Sequence, residues 1–445
     1  MNNKIKVTHV TTTPDESWVV SQGAESSTKP ANLTITDRTD RKIEGFGGCF
    51  NELGWAALSE LKADTREEVL DRLFAPDGEC RFNIGRVPMG ASDYALSWYS
   101  LNETPGDYAM ENFDISRDQQ CLIPYIKTAL ARCPDMTLFA SPWSPPAWMK
   151  SPQVYCGGRL NTDPANLKAY ALYFKKFVEA YESEGVPVAQ VHIQNEVVAE
   201  AKYPTCLWSG EELRVFIRDH LGPLFHSAGV QSEIWLGTIN APNFKKEVGQ
   251  EYDDYAGWIL ADKEAYGYIA GVGYQWAGKN AIQRNVEAYP ELRYMQTENE
   301  CGVGDNSWEH AHYVFGLMRH YLTNGANSYV YWNMVLADGG ESTWGWKQNS
   351  MISIDRDAGT VRYNPEYHVM RHFSAHIQPG ATRLAVTGQL SPNATCYVNP
   401  DNKIVVNINN AHAVSKELVL GLGDSNVVVA LPANSINTIL IDRAA

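Results

Sequence analysis

The chain has 445 residues, 44% hydrophobic and 20% charged, the balance of a soluble globular protein with a sizeable core. Its formal net charge of −15 argues against nucleic acid or an anionic membrane surface as a partner. No run approaches the roughly 18–20 uncharged apolar residues of a membrane span, and the first residues carry no apolar signal core. Eight cysteines are scattered without a CxxC pair, so the expectation is a cytoplasmic protein with mostly reduced thiols.

Residues 4–12 and 31–36 read as strands. From there, short apolar runs alternate with long amphipathic stretches. The runs are Ile43–Phe46, Phe82–Val87, Met136–Ala140, Val191–Ile193, Glu233–Gly237, Ile269–Gly273, Leu292–Met295 and Ser328–Tyr331. Of the stretches between them, the clearest helix opens at Asp163-Pro164, an N-cap followed by proline at the first helical position. Leu167, Tyr170, Phe174, Phe177 and Tyr181 then recur at three and four, and Gly185 closes the helix. A second helix is predicted over Trp308–Thr323, ended by Asn324-Gly325. Eight strands separated by helices predict an α/β fold, a (β/α)8 TIM barrel at about 38–380.

Beyond Thr382 the period changes to alternation, in Ala394–Val398, Ile404–Asn407, Glu417–Leu420, Val427–Leu431 and Thr438–Ile441. Turn residues separate these runs, such as Pro400-Asp401-Asn402 and Gly423-Asp424-Ser425. Short strands of this kind need a partner sheet. The simplest arrangement is a side β-sandwich built from residues 1–37 plus 381–445.

Aromatic residues make up 11% of the chain, with 13 Trp and 23 Tyr, which suits either a large core or flat rings stacked on sugars. In a barrel the C-terminal ends of the strands carry function, so what ends each run matters. The second run ends in Arg86-Val87-Pro88, with Asp93 following, and the third in Ser141-Pro142-Trp143. The fourth ends in Gln194-Asn195-Glu196, the sixth in Tyr274-Gln275-Trp276, the seventh in Gln296-Thr297-Glu298 and the eighth in Trp332-Asn333. Two carboxylates at the ends of strands four and seven suit acetal hydrolysis. One protonates the leaving oxygen, and the other stabilises or attacks the developing oxocarbenium carbon. Arg86 would keep the nucleophile ionised, and Asn195 could bind a sugar 2-hydroxyl.

Other features read as structural. His368, His372 and His376 recur every four residues without a paired acidic or cysteine ligand, which favours packing or capping over metal binding. Cys49 and Cys301 fall near strand ends and are expected to be buried and inert. Trp344 and Trp346 suit either an aglycone platform or loop packing. Gly45-Phe46-Gly47-Gly48 lacks the spacing of a dinucleotide fingerprint, and there is no phosphate-cradling GxxxxGK[ST].

Several runs together resemble glycoside hydrolase family 30. They are Glu44-Gly45-Phe46-Gly47-Gly48-Cys49-Phe50-Asn51-Glu52, Arg86-Val87-Pro88-Met89, Ala140-Ser141-Pro142-Trp143-Ser144-Pro145-Pro146-Ala147-Trp148-Met149-Lys150 and Gln194-Asn195-Glu196. The likeness continues through Tyr363-Asn364-Pro365 to Ser435-Ile436-Asn437-Thr438, and the Ser-Pro-Trp-Ser-Pro-Pro-Ala-Trp-Met-Lys run is its most specific part. The resemblance implies a (β/α)8 barrel beside a β-sandwich, a retaining mechanism, and no cofactor or metal. By position Glu196 is similar to the family's acid/base and Glu298 to its nucleophile. Arg86, Asp93, Trp143, Asn195 and Trp332 match residues lining its −1 sugar site, Asp93 as partner of distal hydroxyls of a gluco-configured sugar. After strand six, Trp276 or Tyr274 is expected to touch the nucleophile. Glu300, two residues beyond Glu298, is a less favoured nucleophile.

The expected substrate is a β-linked glucoside or short oligosaccharide. Endo-β-1,6-glucanase, β-xylosidase and glucosylceramidase share the machinery. A catalytically silent sugar-binding barrel and a metal-dependent barrel hydrolase are the rivals from other classes.

Overall fold

The computed structural model describes residues 6–242, 255–423 and 425–442. Lys4 and Ile5 of the first expected strand and Asp424 of an expected turn lie outside the described residues.

Eight parallel strands close into a barrel: Gly45–Cys49, Ile84–Met89, Thr137–Pro142, Gln190–His192, Glu233–Ile239, Ile269–Gln275, Arg293–Glu298 and Ser328–Asn333. Each overlaps one of the eight apolar runs, shifted by up to a few residues, because strands buried on both faces read as continuous hydrophobic stretches. The barrel closes where the eighth strand pairs with the first, Tyr329 opposite Phe46. Inside, Ile84, Phe139, Trp235, Met295 and Val330 form a packed plug beneath the site. Small residues make room for large ones there. A Cβ on Gly237 would lie 2.4 Å from His192 Nδ1, and one on Gly273 would lie 2.8 Å from the same ring.

The helix Pro164–Ser183 begins as its sequence dictates, with the Asp163 carboxylate accepting from the backbone N–H groups of Ala165 and Asn166. Leu167, Tyr170, Phe174, Phe177 and Tyr181 are its buried stripe, and Gly185 takes the left-handed φ of +76° that ends it. Trp308–Thr323 is helical as expected, capped by Ser307.

The flanking β domain is one hydrogen-bonded sheet of ten strands that folds over on itself. Val7, Leu33, Leu384, Val406, Leu418 and Ile439, drawn from both halves, share its core, which makes it a sandwich. Leu33–Lys42 lies between Thr382–Thr387, antiparallel, and Lys416–Leu422, parallel, so the amino-terminal segment is woven between carboxy-terminal strands. Two edge strands, Val19–Gln22 and Glu25–Ser27, are not visible in the sequence, because Val19–Gln22 is exposed throughout and carries no alternation.

The two domains meet at the helix Pro365–Ser374. His372, fully buried, sits between Thr438 Oγ1 at 2.8 Å and Thr12 Oγ1 at 2.9 Å, both from the sandwich. His376 stacks on Trp18. The histidine row is thus packing and bridging. Among the described residues no group of three or more His, Cys, Asp or Glu is placed to hold a metal ion, and no helix is long and apolar enough to cross a membrane. All eight cysteines are free thiols, with Cys49 and Cys301 buried.

Candidate active site

The site is built around Arg86, which projects from the second barrel strand and is completely buried. A buried guanidinium needs several acceptors, and this one finds them at the ends of the third, fourth and seventh strands, with Gln275 Oε1 of the sixth at 3.4 Å. Nη1 donates to Glu298 Oε2 at 2.7 Å and to the Thr297 carbonyl at 3.1 Å. Nη2 donates to Asn195 Oδ1 at 2.6 Å and to Ser141 Oγ at 2.9 Å. Its face lies 4.5 Å from the centre of the Trp143 ring. One side chain thus touches Glu298, Asn195 and Trp143 at once.

Glu298 is the last residue of the seventh barrel strand, and Glu196 lies just beyond the fourth in a left-handed backbone conformation, φ +55°. Both are nearly buried, at 6% exposure. Burial pushes both carboxyls up, but their neighbours differ. Arg86 works against burial at Glu298, helped by the Trp276 indole N–H, which donates to Oε1 at 3.3 Å. Glu196 has no direct cation. Burial and the Glu298 charge raise it to about 7, while the Tyr203 hydroxyl, donating to Oε2 at 2.7 Å, pulls it back. Of the pair, Glu298 loses its proton first and Glu196 keeps its own to near neutrality. An unequal pair of this kind can serve as a nucleophile and a general acid.

Around the carboxylates lie the groups that can grip a sugar. Trp143 and Trp332 pack with ring centres 5.2 Å apart, both buried. The Asn195 oxygen accepts from Arg86, from Gln275 Nε2 at 3.1 Å and from Thr238 Oγ1 at 3.2 Å, so its amide nitrogen is the group left to face a ligand. Asp93 Oδ2 accepts a long bond from Gln348 Nε2 at 3.4 Å, but Asp93 Oδ1 and Trp332 Nε1 are buried without a protein partner. Unpaired buried polar atoms are costly, and two beside the same carboxylates suit ligand hydroxyls.

Of the expected site residues, Arg86, Asp93, Trp143, Asn195, Glu196, Trp276, Glu298 and Trp332 come together. Tyr274 does not. Its hydroxyl accepts from Asn285 Nδ2 at 2.7 Å and its ring is buried in the outer core, between barrel and helices. Successive strand residues face opposite sides, so Gln275 points inward and Tyr274 outward. Trp276 regains the inside because the strand ends there, at a register shift and a left-handed φ of +48°. Glu300 is held by Lys279 Nζ and the Tyr313 hydroxyl, both at 2.5 Å, with no contact to Arg86. The sequence reading missed Gln275, Gln348 and Tyr203. Strand parity could have found the first; the other two sit in irregular segments where no period points inward. Trp344 packs on Tyr203 at 5.4 Å, and Trp346 packs edge-on against Trp344 at 5.0 Å.

Comparison with known proteins identifies the family of both domains. Residues 43–377 match the glycosyl hydrolase family 30 TIM-barrel domain, and residues 380–439 match the glycosyl hydrolase family 30 β-sandwich domain. The chain is 28% identical to putative glucosylceramidase 1 of Caenorhabditis elegans, covering 93% of this chain and 83% of that protein. SrfJ from Salmonella typhimurium superposes with a TM-score of 0.89 at 24% identity, over 99% of this chain and 100% of the other, a likeness of fold. An endo-β1,6-glucanase superposes at 0.84 with 25% identity, over 98% and 99%. With both domains matched and a barrel mouth that presents two buried carboxylates, the chain belongs to glycoside hydrolase family 30 and is a glycosidase.

Proposed function

We propose that the chain is a retaining β-glycosidase that acts on β-glucosides by double displacement. Glu298 attacks the anomeric carbon as the bond to the leaving oxygen breaks, and the proton on Glu196 moves to that oxygen. Glu196, now a carboxylate, takes a proton from water. The resulting hydroxide-like oxygen displaces Glu298 and releases the sugar with its original configuration. The observation that carries the reading is the unequal pair: Glu298 held by Arg86 at 2.7 Å, and Glu196 raised to about 7 with Arg86 acting on it only at a distance. Asp93 and Trp332, each with an unpaired polar atom, support a sugar with hydroxyls at its distal edge.

The test is a panel of aryl β-glucoside, xyloside, galactoside and fucoside, with Glu196→Ala and Glu298→Ala as controls. Fast glucoside cleavage lost in both variants supports the reading. A preference for the xyloside favours a β-xylosidase. Inactivity on every monosaccharide with cleavage of β-1,6-linked oligosaccharides replaces it with an endo-glucanase.

One observation favours a second reading, an amphiphilic substrate of the glucosylceramide type. Leu96 and Trp98, Val154, Val303 and Trp346 are large, apolar and 39–68% exposed. They follow the second, third, seventh and eighth barrel strands, on the loops at the barrel end that carries the carboxylates. Detergent-dispersed glucosylceramide cleaved faster than a short alkyl glucoside, with Trp346→Ser reversing the order, would favour it.

A further inference from the structure

Tyr203 comes from the irregular stretch between the fourth barrel strand and the helix Gly210–Phe216, and no sugar-site residue lies next to it in sequence. It is half-buried, yet its hydroxyl reaches Glu196 Oε2 at 2.7 Å. Its ring is backed by Trp344, 5.4 Å away and itself braced by Trp346. The indole Nε1 of Trp344 is buried with no partner. A phenol is thus clamped onto one oxygen of the acid/base by an aromatic pair from the opposite side of the barrel, the loop after the eighth strand.

We propose that Tyr203 is a positioning residue for Glu196: clamped by Trp344, it occupies Oε2 as a donor and so leaves Oε1 as the oxygen that gives and takes the proton. The proposal rests on the assignment of Glu196 as acid/base. In the first step the Oε1–H proton passes to the leaving oxygen, which keeps the electron pair of the broken bond. Glu196 is left as a carboxylate, and the Tyr203 hydrogen bond becomes charge-assisted at that moment. In the second step Oε1 takes a proton from the attacking water, and the bond weakens again. Tyr203 neither gains nor loses its own proton. Burial and the charges of Glu196, Asp93 and Glu298 hold its phenol far above the usual tyrosine range.

The groups that face Glu196 are few. Glu298 and Asp93 oppose its ionisation, and the Tyr203 hydrogen bond, the nearby Gln275 amide and Arg86 favour it. Cys301 is buried nearby as a neutral thiol. Removing the Tyr203 hydroxyl deletes one of the favouring terms and leaves the rest in place. Because the carboxylate form loses a donor, Glu196 holds its proton to higher pH.

The experiment is the pH profile of kcat/KM for Tyr203→Phe on a phenyl β-glucoside, whose poor leaving group needs the acid. The basic limb should move up by about one pH unit, the size expected when a carboxylate loses one hydrogen bond. On a dinitrophenyl glucoside, which needs no acid to leave, the release step needs Glu196 ionised. There kcat should fall about tenfold on the acid side. Trp344→Phe keeps the hydroxyl but loosens the clamp, and should move the same limb in the same direction by less. It serves as the second variant if Tyr203→Phe does not fold. An unmoved basic limb, with activity lowered equally on both substrates, overturns the positioning role alone. If Glu196→Gln cleaves the phenyl glucoside as well as the parent enzyme does, the acid/base assignment fails, and this proposal falls with it.

Discussion

Arg86→Lys separates charge from geometry at the centre of the site. Lysine keeps one positive charge but offers it as a point at the end of a flexible stem, whereas the guanidinium holds Glu298, Asn195 and Ser141 at once. A lysine that reaches Asn195 and Ser141 gives up the direct bond to Glu298, and one that reaches Glu298 frees Asn195. Either way at least one charge-assisted bond, worth about 1.5–3 kcal/mol, is lost. If that bond supports the transition state, kcat/KM falls roughly 10- to 150-fold. The pH profile shows where the loss lands. Arg86 favours the carboxylate of Glu298, so weakening the contact lets Glu298 hold its proton to higher pH. The acidic limb of kcat/KM on 4-nitrophenyl β-glucoside should therefore rise by about one to two units, and the loss should be greatest at low pH. The basic limb, set by Glu196, should move little. A variant that folds normally, with an unmoved acidic limb and a change in KM alone, would refute the view that Arg86 keeps the nucleophile ionised.

Three further outcomes follow from the same geometry. Glu196→Gln should lower kcat/KM by about 10²–10⁴ on phenyl β-glucoside while largely sparing dinitrophenyl β-glucoside, and azide should restore turnover by yielding the β-glucosyl azide. Glu300→Gln should keep aryl-glucosidase activity within about threefold, since Lys279 and Tyr313 hold that carboxylate away from Arg86; a hundredfold loss would reinstate it as a nucleophile. His368 and His376 are lowered from 6.5 to about 4, chiefly by burial, and His372 is held well below the usual histidine range, also chiefly by burial. The unfolded chain binds these protons first, so stability is full above about pH 6.5 and falls as pH drops from there towards 4, on the order of 2–3 kcal/mol for each of the first two. His376→Phe removes one of these titrations, so a variant whose thermal midpoint keeps the parent's pH dependence between pH 7 and pH 4 would contradict that.

Much of the fold is legible because its physics is local or periodic. Strands buried on both faces leave continuous apolar runs, and all eight barrel strands are found that way. Asp163-Pro164 and Gly185 mark helix ends through caps whose chemistry is written in single residues. The strand-end rule then gathers Arg86, Asn195, Glu196 and Glu298 from positions more than two hundred residues apart. What stays hidden depends on register or irregular chain. Whether Tyr274 or Gln275 faces inward turns on strand parity, and Trp276 turns on a register shift at the strand end. Tyr203 and Gln348 sit on segments without a period. The sandwich is visible as strands, but that Leu33–Lys42 threads between two carboxy-terminal strands is a long-range pairing that no local pattern encodes.

The central claim is that Glu298 forms the bond to the sugar. Incubation with 2-deoxy-2-fluoro-β-glucosyl fluoride slows the second displacement more than the first, so the covalent intermediate accumulates. Peptide digestion and fragmentation by mass spectrometry then locate the sugar. One fluoroglucosyl group on Glu298, with activity lost in step with labelling, is the expected result. A label on Glu300 or Glu196, or turnover that releases the opposite anomer with no label at all, would contradict the mechanism.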